Sequence, residues 1–276
     1  MSGLFEMLAG DIRAERPVAL AEIVEGPAEM LGAKLLVRPG PPEDVHGSLG
    51  EPGLDRVVAR DAQGELAAGL TATRHYGRHG EARDRDVSVF IESFAAPPRM
   101  IIFGAVDFTS ALAKVAKILG YRVTVCDARA VFATRSRFPM AVEVVVSWPD
   151  AHLAQVGSNL GRRDAICVLT HDPKFDVPAI VSALATDVGY LGAMGSRRTT
   201  DERAARLREA GVDEGGMARV MAPIGLDIGS RTPEETAVAI CAEIIAVRTG
   251  RQAPSLRDHA GPIHRDPGVA AGRTPS

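Results

Sequence analysis

From residue 99 to about residue 250 the chain alternates short, continuous apolar runs with segments of helical periodicity, and this constrains the fold more than any other feature. Met100-Ile101-Ile102-Phe103 is apolar at every position rather than at alternate ones. A strand of that kind is buried on both faces, as in a parallel sheet covered by helices on both sides. Further strands are expected at 122–126, 142–146, 165–169 and 189–192, with a short sixth near Val220. Helices fit between them at 111–119, 180–185 and 201–210, the first with Leu112, Val115, Ala116 and Leu119 on one face. A last helix, 233–247, is announced by Thr232-Pro233-Glu234-Glu235. This supplies a hydroxyl at the N-cap, proline at the first helical position and glutamate three residues after the cap. The expected fold class is α/β, with a Rossmann-type doubly wound parallel sheet over residues 97–250.

Ahead of it, residues 1–96 read as a smaller α+β domain. A helix is expected at 4–14, followed by an apolar segment at 18–24, and strands are expected at 32–37 and 86–94, the last alternating Val87, Val89 and Ile91 against polar residues. Pro39-Gly40-Pro41-Pro42 breaks the chain, and Pro97-Pro98 marks the junction. Residues 251–276 lose all periodicity and are expected to form a disordered tail.

Composition narrows the function classes. The formal net charge is −3, which gives no strong pull toward nucleic acid or anionic lipid. Cys126, Cys167 and Cys241 are far apart and form no CxxC pair, against a structural zinc site or a disulfide framework. The first ten residues lack the pattern of a signal peptide, and no apolar run approaches the about 20 residues that span a bilayer. The expected setting is the cytoplasm.

Residues able to do chemistry fall at predicted strand ends, where open α/β sheets bind ligands. The first strand runs into Gly104-Ala105-Val106-Asp107. Dinucleotide folds place three glycines here so that a pyrophosphate can approach the backbone at a helix start. Only Gly104 is kept; Val106 would crowd the phosphate and Asp107 would repel it, so NAD(P) is disfavoured. The loop reads either as an altered ligand site or as a degenerate turn. Asp127 follows Gly104 by 23 positions (127 − 104), near the spacing of a ribose-binding carboxylate, with Arg129 two residues on. Thr170-His171-Asp172 ends the fourth strand; His171 is the candidate for proton transfer, beside the alternative of a plain Thr/Asp turn. After the fifth strand, Gly195-Ser196-Arg197-Arg198 combines close backbone approach, a helix start and two guanidinium groups, which suits phosphate; a solvated arginine pair is the alternative. Pro223-Ile224-Gly225-Leu226-Asp227-Ile228-Gly229 forms a shaped loop before the capped helix.

Taken in order, these stretches resemble the XdhC/CoxI family, accessory factors for xanthine dehydrogenase and related molybdenum hydroxylases. The resemblance runs over residues 99–250. It is carried by Leu119-Gly120-Tyr121, Asp127-Ala128-Arg129, Phe132-Ala133-Thr134, Arg137-Phe138-Pro139 and Leu169-Thr170-His171-Asp172. It continues through Gly192-Ala193-Met194-Gly195-Ser196-Arg197-Arg198, the 223–229 loop and Ala242-Glu243-Ile244-Ile245-Ala246. It implies an N-terminal XdhC/CoxI domain followed by a Rossmann domain. It also implies transient binding of a molybdopterin-type molybdenum cofactor, and help with its sulfuration, protection or insertion into an apo molybdenum hydroxylase of the xanthine or CO dehydrogenase type. Such a factor is a carrier rather than a turnover enzyme, and a cysteine desulfurase is a further implied partner. Exposed apolar faces on the small first block point to a homodimer. Two departures stand out. The family's Gly-Ala-Gly-His loop has Val106-Asp107 at its end here, and its Gly-Gly-Cys loop has no cysteine in Gly47-Ser48-Leu49-Gly50-Glu51-Pro52. The competing readings are a nicotinamide-dependent oxidoreductase using Asp127 and His171, and a scaffold that keeps the fold without the ligand.

Overall fold

A computed structural model describes residues 2–40, 44–82 and 84–258. They form two compact units, the first made of the residues up to Ala96 together with residues 255–258 and the second spanning Pro97–Pro254.

The first unit contains α1 (Ser2–Arg13), β1 (Val18–Glu25), β2 (Lys34–Arg38), β3 (Asp44–Ser48), α2 (Pro52–Ala68), β4 (Ala72–Tyr76) and β5 (Val87–Phe94). Its five strands pair antiparallel in the order β3-β2-β1-β5-β4. Alternation sorts β1 between two layers. Ala19, Ala21 and Ile23 face the α2 stripe of Leu54, Val58, Ala62 and Leu66, while Val18 packs with Leu8 of α1 and Leu36. The sequence reading contains no counterpart of β3, α2 or β4. Charged residues and two glycines interrupt α2, and Glu51 makes no side-chain cap.

The second unit runs β6 (Arg99–Phe103), α3 (Asp107–Ile118), β7 (Arg122–Cys126), β8 (Glu143–Val145), α4 (Pro149–Val156), β9 (Ala165–Val168), α5 (Pro173–Leu184), β10 (Tyr190–Ala193), α6 (Arg197–Glu209), α7 (Glu214–Ala218), β11 (Val220–Met221) and α8 (Pro233–Thr249). All six strands are parallel, in the order β11-β10-β9-β6-β7-β8. The chain builds outward from β6 through β7 to β8, then returns to β9 on the other side of β6, so the β6–β9 boundary is the switch point of a doubly wound sheet. The continuous apolar runs fill two cores. Met100, Ile102, Val123, Val125 and Cys167 pack with Leu112 of α3 and Ile240 and Ile244 of α8. Ile101, Phe103, Ile166 and Val168 pack with Leu153 of α4, Ala179 and Ile180 of α5 and Leu207 of α6.

Several boundaries differ from expectation. Helix α5 begins at Pro173, seven residues before the expected 180 (180 − 173), because Pro178 inside the helix hides its first turns from a propensity reading. Helices α4 and α7 were not expected at all; α4 has eight residues and α7 five, too short for a periodic signal. The capping box on α8 forms as Thr232 and Glu235 require. Most of the expected disordered tail lies outside the described residues, and Leu256–Asp258 makes a 3-10 turn. Among the described residues no helix is long and apolar enough to cross a membrane.

Candidate functional site

The carboxyl edge of the parallel sheet gathers every strand-end residue singled out from the sequence. Gly104 follows β6, Asp127 and Arg129 follow β7, Thr170 and His171 follow β9, and Gly195 and Ser196 lead into α6, whose first residues are Arg197 and Arg198. At the switch point Gly104 has φ +108°, and a Cβ built there would lie 2.6 Å from Thr170 Cγ2. This glycine is therefore needed for conformation and for contact between the two central strand ends.

The loop after β6 is latched from one side. Asp127 is buried, its side chain 2% exposed. Its carboxylate accepts the Ala105 N–H (2.8 Å), the Arg129 N–H (2.9 Å) and a two-pronged bond from the Arg129 guanidinium (2.9 and 2.7 Å). Arg137 completes the latch, donating to Ala105 O (3.0 Å) and Phe132 O (3.2 Å), with Asp107 Oδ1 at 3.6 Å. The stretch 127–139 thus clamps the first loop, and a ribose hydroxyl seeking Asp127 would compete with Arg129. Val106 caps α3 without a side-chain bond and rests against the core, while Asp107 is exposed.

Burial works to raise the Asp127 pKa, but the bonds from Arg129, Ala105 and the Arg129 backbone outweigh it and hold it below the usual 3.8. A depressed carboxylate contributes stability above its unfolded pKa and loses it as pH falls through its folded pKa. Stability supplied by the latch is therefore complete at neutral pH and drains away from about pH 4 downward. Asp127→Asn is expected to lower stability at pH 7 and flatten its decline below pH 4, measured by denaturant unfolding over a pH series. An unchanged acid limb would refute the assignment.

On the other side of the switch point, the Thr170 hydroxyl donates to Asp176 Oδ1, and Arg203 Nη2 bridges Asp176 Oδ2 (2.9 Å) and Met194 O (2.7 Å). Both partners of this ion pair have side chains 4% exposed. Desolvation outweighs the hydroxyl and the guanidinium and leaves the Asp176 pKa above the usual value. Arg203 Nη1 and Thr200 Oγ1 are buried without a hydrogen-bond partner. The Gly195 Cβ position would sit 3.3 Å from Thr199 Cβ and 3.5 Å from Arg203 Nη1, so a side chain there would press on the first turn of α6.

Ser196 caps α6 by accepting the Thr199 N–H at 3.2 Å. The N–H groups of Arg197 and Arg198 lie in the first turn, where a helix has no internal acceptor. Arg197 is exposed, and Arg198 bonds Glu202 at 3.0 Å on the surface. His171 is exposed, and Asp172 caps α5 by accepting the Lys174 N–H. Across the edge, Glu243 Oε2 accepts both the Tyr190 hydroxyl (2.5 Å) and the Gly225 N–H (2.9 Å), pinning the 223–229 loop against the sheet.

Sequence reasoning quoted Arg137 and Glu243 within motifs without giving them a site role, and missed Asp176, Arg203 and Tyr190 together with the aromatic pair Trp148 and Phe175. A lone acid in the apolar run Ala242-Glu243-Ile244 was a usable signal; Arg203, among many charges on α6, gave none. All three cysteines are buried, and burial pushes the Cys126 thiol up to about 12, Cys241 to about 11 and Cys167 well above its ordinary value. Among the described residues there is no group of three or more His, Cys, Asp or Glu side chains able to hold a metal. A cleft of about 390 Å³ lined in part by Asp150, Leu153, Ser182 and Asp187 opens between α4 and α5, and includes none of the strand-end residues.

A family profile described as the XdhC Rossmann domain matches residues 100–244, and one described as the XdhC and CoxI family matches residues 11–77. The chain is 32% identical over 165 residues to a probable xanthine dehydrogenase subunit of Bacillus subtilis, covering 60% of this chain and 47% of that one. It is 28% identical over 253 residues to the uncharacterized protein YqeB of Escherichia coli, covering 84% and 44%. It is also 28% identical over 111 residues to the molybdenum cofactor insertion chaperone PaoD of Escherichia coli, covering 38% and 35%. These matches span less than half the length of each relative. A crystal structure described as a xanthine dehydrogenase from Bacillus halodurans aligns over 91% of this chain and 96% of its own, with TM-score 0.50 and 20% identity, a likeness of fold.

Proposed function

Since the chain belongs to the XdhC and CoxI family, we propose that it serves molybdoenzyme maturation, holding a molybdopterin-type molybdenum cofactor and passing it to an apo molybdenum hydroxylase. The observation that carries this reading is the similarity to a molybdenum cofactor insertion chaperone. The strand mouth supports it chemically. Molybdopterin carries a phosphate, and the first turn of α6 offers the leading N–H groups of a helix, the Ser196 hydroxyl and the guanidinium groups of Arg197 and Arg198. Gly104 and Gly195 leave backbone open to close approach, and the orphaned Arg203 Nη1 and Thr200 Oγ1 add positive and polar character beneath the turn.

The cofactor, when bound, brings the molybdenum centre used later by the client enzyme. This chain's residues grip its phosphate and leave the metal to other ligands, because its thiols are buried and held protonated. Any sulfuration then draws on a thiol of a partner, such as a cysteine desulfurase, rather than on Cys126, Cys167 or Cys241.

The test is to purify the protein from a host that makes the cofactor, assay bound pterin, and mix it with apo-hydroxylase. Bound pterin and a gain of hydroxylase activity are expected; absence of both overturns the proposal. Arg197→Ala is expected to weaken retention by about 1–2 kcal/mol, the lower part of the range for a charge-assisted bond because Arg197 is exposed. Pterin retained per protein after gel filtration measures it, and retention equal to wild type would remove Arg197 from the site.

A further inference from the structure

At the carboxyl edge of the parallel sheet, a row of flat groups is built from the segments that follow β7, β8 and β9. The two hydrogen bonds that the Arg129 guanidinium donates to the Asp127 carboxylate fix its plane. Its carbon lies 4.8 Å from the centroid of the Phe132 ring and 5.8 Å from that of Phe175. Phe175, in the first turn of α5, stacks in turn on Trp148, with centroids 4.5 Å apart and planes inclined by 15°. Trp148 ends the row, stacked on one side against Phe175 and still 48% exposed.

Neither folding nor capping explains this tryptophan. It precedes α4 without a side-chain cap and belongs to neither core of the parallel sheet. An indole left half in water at a ligand-binding edge, backed by a second ring and a fixed cation, is built to receive another flat group. We infer that Trp148 is the open end of a stacking site for the planar heteroaromatic ring of a phosphate-bearing ligand, either a pterin or a nucleobase. The inference rests on the reading that this crevice holds such a cofactor, and adds where its ring lies. Phe175 supports the indole from behind. Asp127, by holding Arg129 flat, is a positioning residue for the row.

Trp148 is the one tryptophan in the chain, so intrinsic fluorescence reports on this ring alone. The full-length protein is titrated with neopterin, with CMP, AMP and GMP, and with ribose 5-phosphate as a control without a ring. Saturable quenching by one or more of the ring compounds and none by ribose 5-phosphate is expected; whether pterin or nucleotide quenches identifies the source. Phe175→Leu keeps the reporter and should weaken binding about tenfold, the scale of a lost stacking partner. By equilibrium dialysis, Trp148→Ala should lose binding to a similar degree and Trp148→Phe should restore most of it.

Absence of saturable quenching by any ring compound overturns the inference. So does equal quenching by ribose 5-phosphate, or unchanged affinity in a folded Trp148→Ala protein. The two proposals separate cleanly. If Trp148→Ala purifies with a full pterin load and still activates apo-hydroxylase, the stacking site is wrong and the carrier stands. If wild type carries no pterin and does not activate apo-hydroxylase, yet nucleotides quench Trp148, the carrier is wrong and the stacking site stands.

Discussion

Arg203→Leu is expected to destabilise the protein by about 3–5 kcal/mol at neutral pH, the scale of breaking a buried ion pair by removing one partner. The side chains of Arg203 and Asp176 are each 4% exposed, so water cannot replace what the guanidinium supplies. Its loss would leave the Asp176 carboxylate with the Thr170 hydroxyl as its remaining side-chain donor, and free the Met194 carbonyl at the mouth of β10. Burial already lifts the Asp176 pKa, and without the cation it rises further. A carboxyl whose folded pKa exceeds its unfolded value favours folding below the unfolded pKa and loses that contribution as pH rises through the folded pKa. The defect in Arg203→Leu is therefore expected to be smaller near pH 4 and to grow as pH rises. Denaturant unfolding at several pH values measures both features. Asp176→Leu combined with Arg203→Leu should recover much of the loss, because two apolar groups replace the stranded charge. A single-variant loss below about 1 kcal/mol, or a defect that does not grow with pH, would contradict the assignment.

This pair also shows which parts of the molecule the sequence discloses. The parallel sheet was legible because its strands are buried on both faces and so are written as unbroken apolar runs, as at Met100-Ile101-Ile102-Phe103. Strand ends follow from the runs, and the carboxyl edge follows from the fold class, so Gly104, Thr170 and Gly195 could be placed on one edge without coordinates. Helix α2 was not legible, since its apolar residues are interspersed with charges and two glycines and its start carries no side-chain cap.

Partnerships across long intervals were the harder loss. Arg203 and Asp176 are separated by 27 positions and Tyr190 and Glu243 by 53; the lone acid Glu243 in its apolar run is the only one of the four with a local mark, and even that mark does not point to its partner. Asp127 illustrates the limit of spacing. Its distance from Gly104 announces a carboxylate at the second strand end, but the donors that occupy it come from Ala105 and Arg129. Spacing locates a functional group; hydrogen bonding decides what that group holds. The same holds for Trp148 and Phe175, 27 positions apart (175 − 148). Their stacking depends on the segments after β8 and β9 meeting, although β6 and β7 lie between those two strands in the sheet.

Gly104→Ala is expected to cost about 2–4 kcal/mol, from backbone strain and overpacking acting together. At φ +108° a residue with a Cβ is strained wherever it is placed. The new methyl would also lie 2.6 Å from Thr170 Cγ2 and 3.1 Å from the Thr170 nitrogen. The neighbouring strand cannot simply retreat. The Leu169 N–H donates to Phe103 O at 2.8 Å, and the Thr170 hydroxyl is tied to Asp176. Relief by moving the Gly104 side instead would pull on Ala105, whose N–H is held by Asp127 at 2.8 Å. Strain at this one position therefore reaches both halves of the crevice. Adding Thr170→Ser to Gly104→Ala removes the clashing methyl and keeps the hydroxyl for Asp176, so it should recover the share due to that methyl and leave the share due to backbone strain and the close Thr170 nitrogen. Denaturant unfolding of the single and double variants separates the two contributions. A Gly104→Ala protein within about 1 kcal/mol of wild type would show that the switch point is looser than these contacts require.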